Sequence, residues 1–163
     1  MTTRGTMIER HKTWVLVVDG ARARLFAFSD HDAALVPVDF WLSPDAERLA
    51  GEAEAHRIGG GHPHAGHARH AKEPKADPHF HRKEDFLDAV AKRINQACAE
   101  GTFDQLILVA PATALGTLRH DLSPAVHERI KSELAQDLTK IPDHALVEHL
   151  ARDLPIPLHA PRR

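Results

Sequence analysis

The apolar positions change period along the chain, and the changes mark the elements. Trp14 to Val18 is an unbroken apolar run that stops at Asp19-Gly20. A short run rich in β-branched residues suits a strand buried on both faces. Asp19-Gly20-Ala21 is a turn signal. Arg22 to Phe28 then reads as the hairpin partner, with Arg24, Phe26 and Phe28 on one face and Ala23, Leu25 and Ala27 on the other. Leu35 to Leu42 is a third strand, in which Val36, Val38, Phe40 and Leu42 alternate. Proline cannot donate to a ladder, so Pro37 places this strand at an edge or on a bulge.

Asp45 to Ala55 is rich in Ala, Glu and Arg and suits a short helix. Residues 56–80 follow no period and carry Gly59-Gly60-Gly61, Gly66, Pro63, Pro74 and Pro78. So long an irregular loop in a compact domain is uncommon and usually functional or disordered. From His81 the period is helical, with Phe86, Leu87, Val90, Ile94, Ala97 and Cys98 on one face and Gly101 as the stop. Leu106 to Ala110 is a second fully apolar strand, ended by Pro111. Pro111 to His120 is a helix with Leu115 and Leu118 inward, and Ser123-Pro124 opens another. Val126, Ile130 and Leu134 keep helical spacing, so residues 130–138 fit helix or strand on pattern alone. Asp143 to Ala151 forms the last helix.

These elements predict an α/β fold: a mixed central sheet, opened by a three-strand meander, with helices packed on it. One domain over 13–152 is expected, with a loose arm at 1–12 and a surface tail at 153–163. No internal repeat is visible. The formal charge of −2 offers no net attraction to nucleic acid or anionic membrane, so such a partner needs a local basic patch. Fourteen histidines would turn the chain positive below about pH 6.5. The single cysteine, Cys98, can form no internal disulfide. The run from Trp14 is too short for a signal-peptide core or a membrane span, so a cytoplasmic protein without membrane insertion is expected.

Five segments, in this order and spacing, carry a resemblance. They are Trp14 to Phe26 (WVLVVDGARARLF), Arg69 to Pro78 (RHAKEPKADP), Phe103 to Pro111 (FDQLILVAP), Leu115 to Arg119 (LGTLR), and Asp137-Leu138-Thr139 ahead of Pro142. Together they resemble the bacterial host attachment protein family from about Trp14 to Leu150. The resemblance implies a strand near Glu133 to Leu138, giving α-β-α-β-α after the meander. More remotely it is similar to the middle domain of archaeal and eukaryotic peptide-chain release factors, a mixed sheet carrying a Gly-Gly-Gln loop. Gly59-Gly60-Gly61 occupies the corresponding loop, with His62 where glutamine would follow. That departure speaks against peptide release by the release-factor mechanism.

Several groups are candidates for chemistry. His62, His64, His67 and His70 offer imidazoles that suit zinc, nickel or copper, against the plainer reading of a polar loop. Asp19, Arg22 and Arg24 frame the first turn, and two guanidinium forks on one side suit phosphate or carboxylate. The plainer reading pairs those arginines with Asp19 or with acids on a helix. Arg69, His70, Lys72, Glu73 and Lys75 form a mixed stretch suited to RNA or a protein, with strong salt dependence. Ala110, Thr113 and Arg119 follow a strand end, where α/β proteins favour ligands. Asp137 and Thr139 could serve a site, though capping the helix after Pro142 is the plainer role. Cys98 belongs in the core, and no nucleotide-binding glycine loop or hydrolase serine elbow is present.

The expectation is a non-enzymatic domain that meets ribosomal RNA, a ribosome-associated protein or another protein, with an indirect role in attachment. The alternative is a metal- or histidine-assisted hydrolase of a phosphoester or ester. A third reading is an adaptor that binds through the edge strand near Pro37.

Overall fold

The computed structural model describes residues 12–29, 34–58 and 78–154. Five strands form one sheet: β1 (Thr13–Val18), β2 (Arg22–Ser29), β3 (Ala34–Leu42), β4 (Gln105–Val109) and β5 (Ile130–Leu134). Their order across the sheet is β3-β2-β1-β4-β5. The meander is antiparallel, whereas β1 with β4 and β4 with β5 are parallel. Among the described residues there are also five helices: α1 (Pro44–Ile58), α2 (Pro78–Ala99), α3 (Ala112–Asp121), α4 (Pro124–His127) and α5 (Asp143–Asp153).

Strand alternation divides the core between the two faces of the sheet. Leu16, Val18, Ala23, Leu25, Leu106 and Leu108 face Phe86, Val90 and Ile94 of α2, Leu115 and Leu118 of α3, and Val126 of α4. Val15, Val17, Phe26, Phe28, Ile107 and Val109 face Leu138 and the α5 residues Leu146 and Leu150. Both faces of β1 and β4 are therefore covered, which explains their continuous apolar runs. Cys98 lies in the first core, as its place on the helix face implied.

Local signals act where the sequence puts them. Ser123 accepts the Val126 amide, and Pro124 begins α4. Gly101 ends α2 at φ +69°, a conformation that favours glycine. β3 is an edge strand, and its register with β2 slips between Leu25 and Phe26, leaving Val38 as the extra residue beside Pro37. Pro37 thus marks both an edge and a bulge.

Two expectations change. Residues 130–138 resolve into a strand over Ile130–Leu134, earlier than the stretch from Glu133 to Leu138. The turn after α4 delivers Ile130 directly beside Leu106, so parallel pairing with β4 starts there. The irregular segment expected over 56–80 is trimmed at both ends, because α1 continues through 56–58 and α2 starts at Pro78. Ala-rich propensity extends α1, and proline suits a first helical position. The alternating apolar residues of β3 do not form a buried face: Val36, Val38 and Phe40 are exposed. α1 leaves the body after β3 instead of covering it, and Glu47 to Arg57 are all exposed.

Candidate functional site

The cleft lies where β1 and β4 end. Their parallel register pairs Val17 with Val109, so both carboxyl ends open on one side of the sheet. From there the chain departs in opposite directions, from β1 to β2 and from β4 towards β5. Such a divergence leaves a crevice that neighbouring loops cannot fill. Here it is a cavity of about 510 Å³ lined by Asp19, Lys83, Glu84, Thr113, Thr117 and Asp137, with Gly20, Ala21, Leu87, Pro111 and Ala114. That volume falls in the range of small-ligand sites. A second hollow of about 450 Å³ adjoins it beneath the start of α1 and shares Gly20, Ala21 and Lys83.

Asp19 organises the turn between β1 and β2. Its Oδ1 accepts the amides of Ala21 and Arg22, both at 2.8 Å. Its Oδ2 accepts the hydroxyl of Thr139 at 2.8 Å. The same Thr139 Oγ1 lies 2.6 Å from Oδ1 of Asp137, which also accepts the Thr139 amide at 3.2 Å. Thr139 is buried, at 3% exposure. A hydroxyl carries one proton, so it can serve only one of the two carboxylates at a time. Asp19, Thr139 and Asp137 therefore present more acceptors than donors at the mouth of the cleft. Lys83 is the one ammonium in the lining, against the carboxylates of Asp19, Glu84 and Asp137. Its stem lies over Gly20, where a Cβ would sit 2.7 Å from Lys83 Cγ, so the glycine permits the approach.

The two arginines of β2 have different fates. Nη1 of Arg24 approaches the carbonyls of Ile141 at 2.5 Å, Thr139 at 3.2 Å and Leu138 at 3.4 Å. Its Nη2 pairs with Asp143 on α5, and the guanidinium stacks over Phe26 at 5.2 Å. Arg24 is thus a clamp on the segment between β5 and α5, close to the plainer reading of its sequence. Arg22 has a buried Nε with no hydrogen-bond partner. Arg119 is held by Glu133 through Nε at 3.0 Å and Nη2 at 2.5 Å. That hydrogen bond raises its pKa further above an already high ordinary value.

The cleft lining therefore gathers Asp19, Thr113 and Asp137 from the sequence candidates, with Thr139 bonded to Asp19 behind it, leaves Arg22 at its edge, and does not include Arg24 or Arg119. Ala110 is buried in the core. Asp137 and Thr139 do not cap α5, whose first turn follows Pro142 without a side-chain cap. Lys83, Glu84 and Thr117 went unnoticed. Only the position of Lys83 and Glu84, four and three residues before the buried Leu87, could have flagged them. Arg69, His70, Lys72, Glu73 and Lys75, and the metal candidates His62, His64 and His67, lie outside the described residues. Among the described residues, no cluster of three or more potential ligands could hold a metal ion. Likewise, no described helix is long and apolar enough to cross a membrane.

Comparison with known proteins gives one informative match. No curated protein matches the chain. Among solved structures, it is similar to the Ppx/GppA phosphatase of Aquifex aeolicus at 10% identity and a TM-score of 0.36. That match covers 76% of this chain and only 35% of the phosphatase, and is too slight to bear on function. The model of a family described as proteins required for attachment to host cells matches residues 14–150, including β1, the Asp19 turn, β4 and the Asp137–Thr139 corner. The chain therefore belongs to the host attachment family.

Proposed function

We propose that this host attachment protein is a non-enzymatic binding domain whose cleft holds a small molecule rich in hydroxyl or ammonium donors. One observation carries the reading: Thr139 stands between the carboxylates of Asp19 and Asp137 with a single proton to give. Asp19 and Asp137 line one cleft, and carboxylates bind paired hydroxyls or ammonium groups with charge-assisted strength, so this lining favours a ligand that brings donors. Thr113 and Thr117 add hydroxyls that can donate or accept. The role in attachment is then indirect, through a ligand that the domain senses or sequesters.

The ribosomal RNA reading needs cations free to meet phosphate. Arg24 and Arg119 are occupied within the fold, and the cleft carries three carboxylates against one ammonium. That reading therefore rests on Arg69, Lys72 and Lys75, with Arg22 and Lys83 as the cations left unpaired beside the cleft among the described residues. The phosphoester hydrolase alternative draws on the apposed Asp19 and Asp137, since a carboxylate there can act as a general base. Its histidine-assisted form rests on the loop histidines, which lie outside the described residues.

The test is a thermal-shift and NMR screen of the full chain against small polyols and polyamines, repeated with Asp19→Asn and Asp137→Asn. Binding by the wild type that both variants lose is the expected result. Failure of every donor-rich compound, together with salt-sensitive co-sedimentation with ribosomes, would overturn it in favour of the RNA reading. Turnover of p-nitrophenyl phosphate that disappears in Asp19→Asn would overturn it in favour of the hydrolase.

A further inference from the structure

We propose that the hollow beneath the start of α1 is an anion subsite that takes a phosphate monoester group. It deepens the reading above, since Gly20, Ala21 and Lys83 line both hollows. A ligand with hydroxyl donors at one end and a phosphate at the other, of the sugar phosphate class, would fill the pair.

The argument begins with charge. Arg22, Arg82 and Lys83 line this hollow, against Asp45 and Asp85. Arg82 is committed, with Nη1 2.9 Å from Asp45 Oδ2. Arg22 and Lys83 have no ion-pair partner among the described residues. Arg22 is the telling group. It is half-buried, and its Nε is shielded from water with no acceptor in reach. A guanidinium donor removed from water without a partner is unfavourable, so such a group is normally paired. Arg24, two residues along the same strand, shows how this fold treats an arginine with a structural task. It meets three carbonyls, a carboxylate and an aromatic ring.

The surrounding geometry suits an anion. Ser43, Pro44, Asp45 and Ala46 bring the first turn of α1 to the hollow. Ser43 Oγ already accepts the Ala46 amide, and Asp45 and Glu47 stand in the first turn, so the helix end is complemented within the fold and the anion would rest on Arg22 and Lys83. The β1–β2 turn is fixed by Asp19 and by the Ser43 amide, which donates to the Ala21 carbonyl at 2.7 Å. Arg22 therefore starts from a rigid position. Lys83 reaches the same place because Gly20 lets its stem lie flat on the turn. A planar fork and a compact ammonium are complementary means of holding a doubly charged phosphate.

The experiment is isothermal titration of the full chain with inorganic phosphate, glycerol 3-phosphate, glycerol and acetate at low ionic strength. Wild type, Arg22→Gln, Lys83→Gln and Gly20→Ala are compared, with melting curves to confirm folding. Wild type is expected to bind both phosphates and to prefer them to acetate. Each variant should bind about tenfold more weakly or worse, a difference that titration resolves readily. Lys83→Gln sits on the exposed side of α2, so it keeps the test meaningful should a turn variant misfold. Equal phosphate affinity in wild type and Lys83→Gln, or no phosphate binding by the wild type, overturns the proposal. Phosphate binding that needs Arg22 and Lys83 without any binding of polyols or polyamines would sink the donor-rich reading and leave the anion subsite standing.

Discussion

Replacing Arg24 with methionine tests how this fold holds the corner between β5 and α5. Methionine keeps a stem of similar reach over Phe26 and removes only the guanidinium. Nη1 has two hydrogens and three carbonyl neighbours, so two bonds carry the interaction, to Ile141 at 2.5 Å and Thr139 at 3.2 Å. Leu138 at 3.4 Å contributes least. Hydrogen bonds from a charged donor are worth about 1.5–3 kcal/mol each. The Arg24 side chain is only 12% exposed, so water cannot replace the lost donor easily. Asp143 is 56% exposed, and its share of the ion pair is under about 1 kcal/mol. Allowing for non-additivity, Arg24→Met should destabilise the protein by about 3 kcal/mol. That is a large fraction of a total stability of about 5–15 kcal/mol. Melting should fall by about 6–12 °C in a domain of this size. Arg24→Lys should recover only part, because an ammonium cannot fork. Urea denaturation of wild type, Arg24→Met, Arg24→Lys and Asp143→Asn reads these differences. The reasoning collapses if Arg24→Met lies within about 1 kcal/mol of wild type, or if Asp143→Asn is as damaging, since the surface pair would then dominate.

Further outcomes follow from the same geometry. Thr139→Val keeps the shape of a buried side chain but removes the only proton between Asp19 and Asp137. It should lower stability by about 1–3 kcal/mol in urea titrations. Phe103 is fully buried, stacks on Trp14 with ring centroids 5.0 Å apart and lies under Arg129. Phe103→Ala should cost about 3–5 kcal/mol, with a shift in tryptophan emission that Phe103→Leu reproduces only in part. Gly101→Ala meets no neighbour within 4 Å, so backbone strain at φ +69° is the whole effect. A loss of about 1 kcal/mol in thermal melts is expected, and a neutral result would show that the helix end relaxes.

β3 also bears on the adaptor reading. Its outer edge carries exposed Val36, Val38 and Phe40, which would invite another strand. Pro37 has no amide proton, however, and the Phe40 amide donates to its neighbour Asp39 at 2.8 Å. Two positions along the edge are thus closed to ladder bonds, and the bulge at Val38 interrupts the run. These are the devices by which edge strands resist pairing, so strand addition is the weakest of the interaction modes.

What the sequence determined by itself is what depends on neighbours along the chain. The apolar runs at Trp14 and Leu106 require strands covered on both sides, the helical period from Phe86 requires α2 on the core, and Pro37 requires an edge or a bulge. Each rests on backbone geometry or on a missing hydrogen-bond donor, and both are local properties. Tertiary structure alone decided the rest. Arg22 and Arg24 are the same residue type on the same strand, yet only Arg24 meets a corner of the chain more than 110 residues away. Asp137 and Thr139 fit a site or a helix cap on sequence, and the parallel pairing of β5 with β4, and of β4 with β1, carried them to Asp19. Which charges are satisfied inside the molecule, and which remain for a ligand, is a property of three-dimensional distance, and no period along the sequence encodes it.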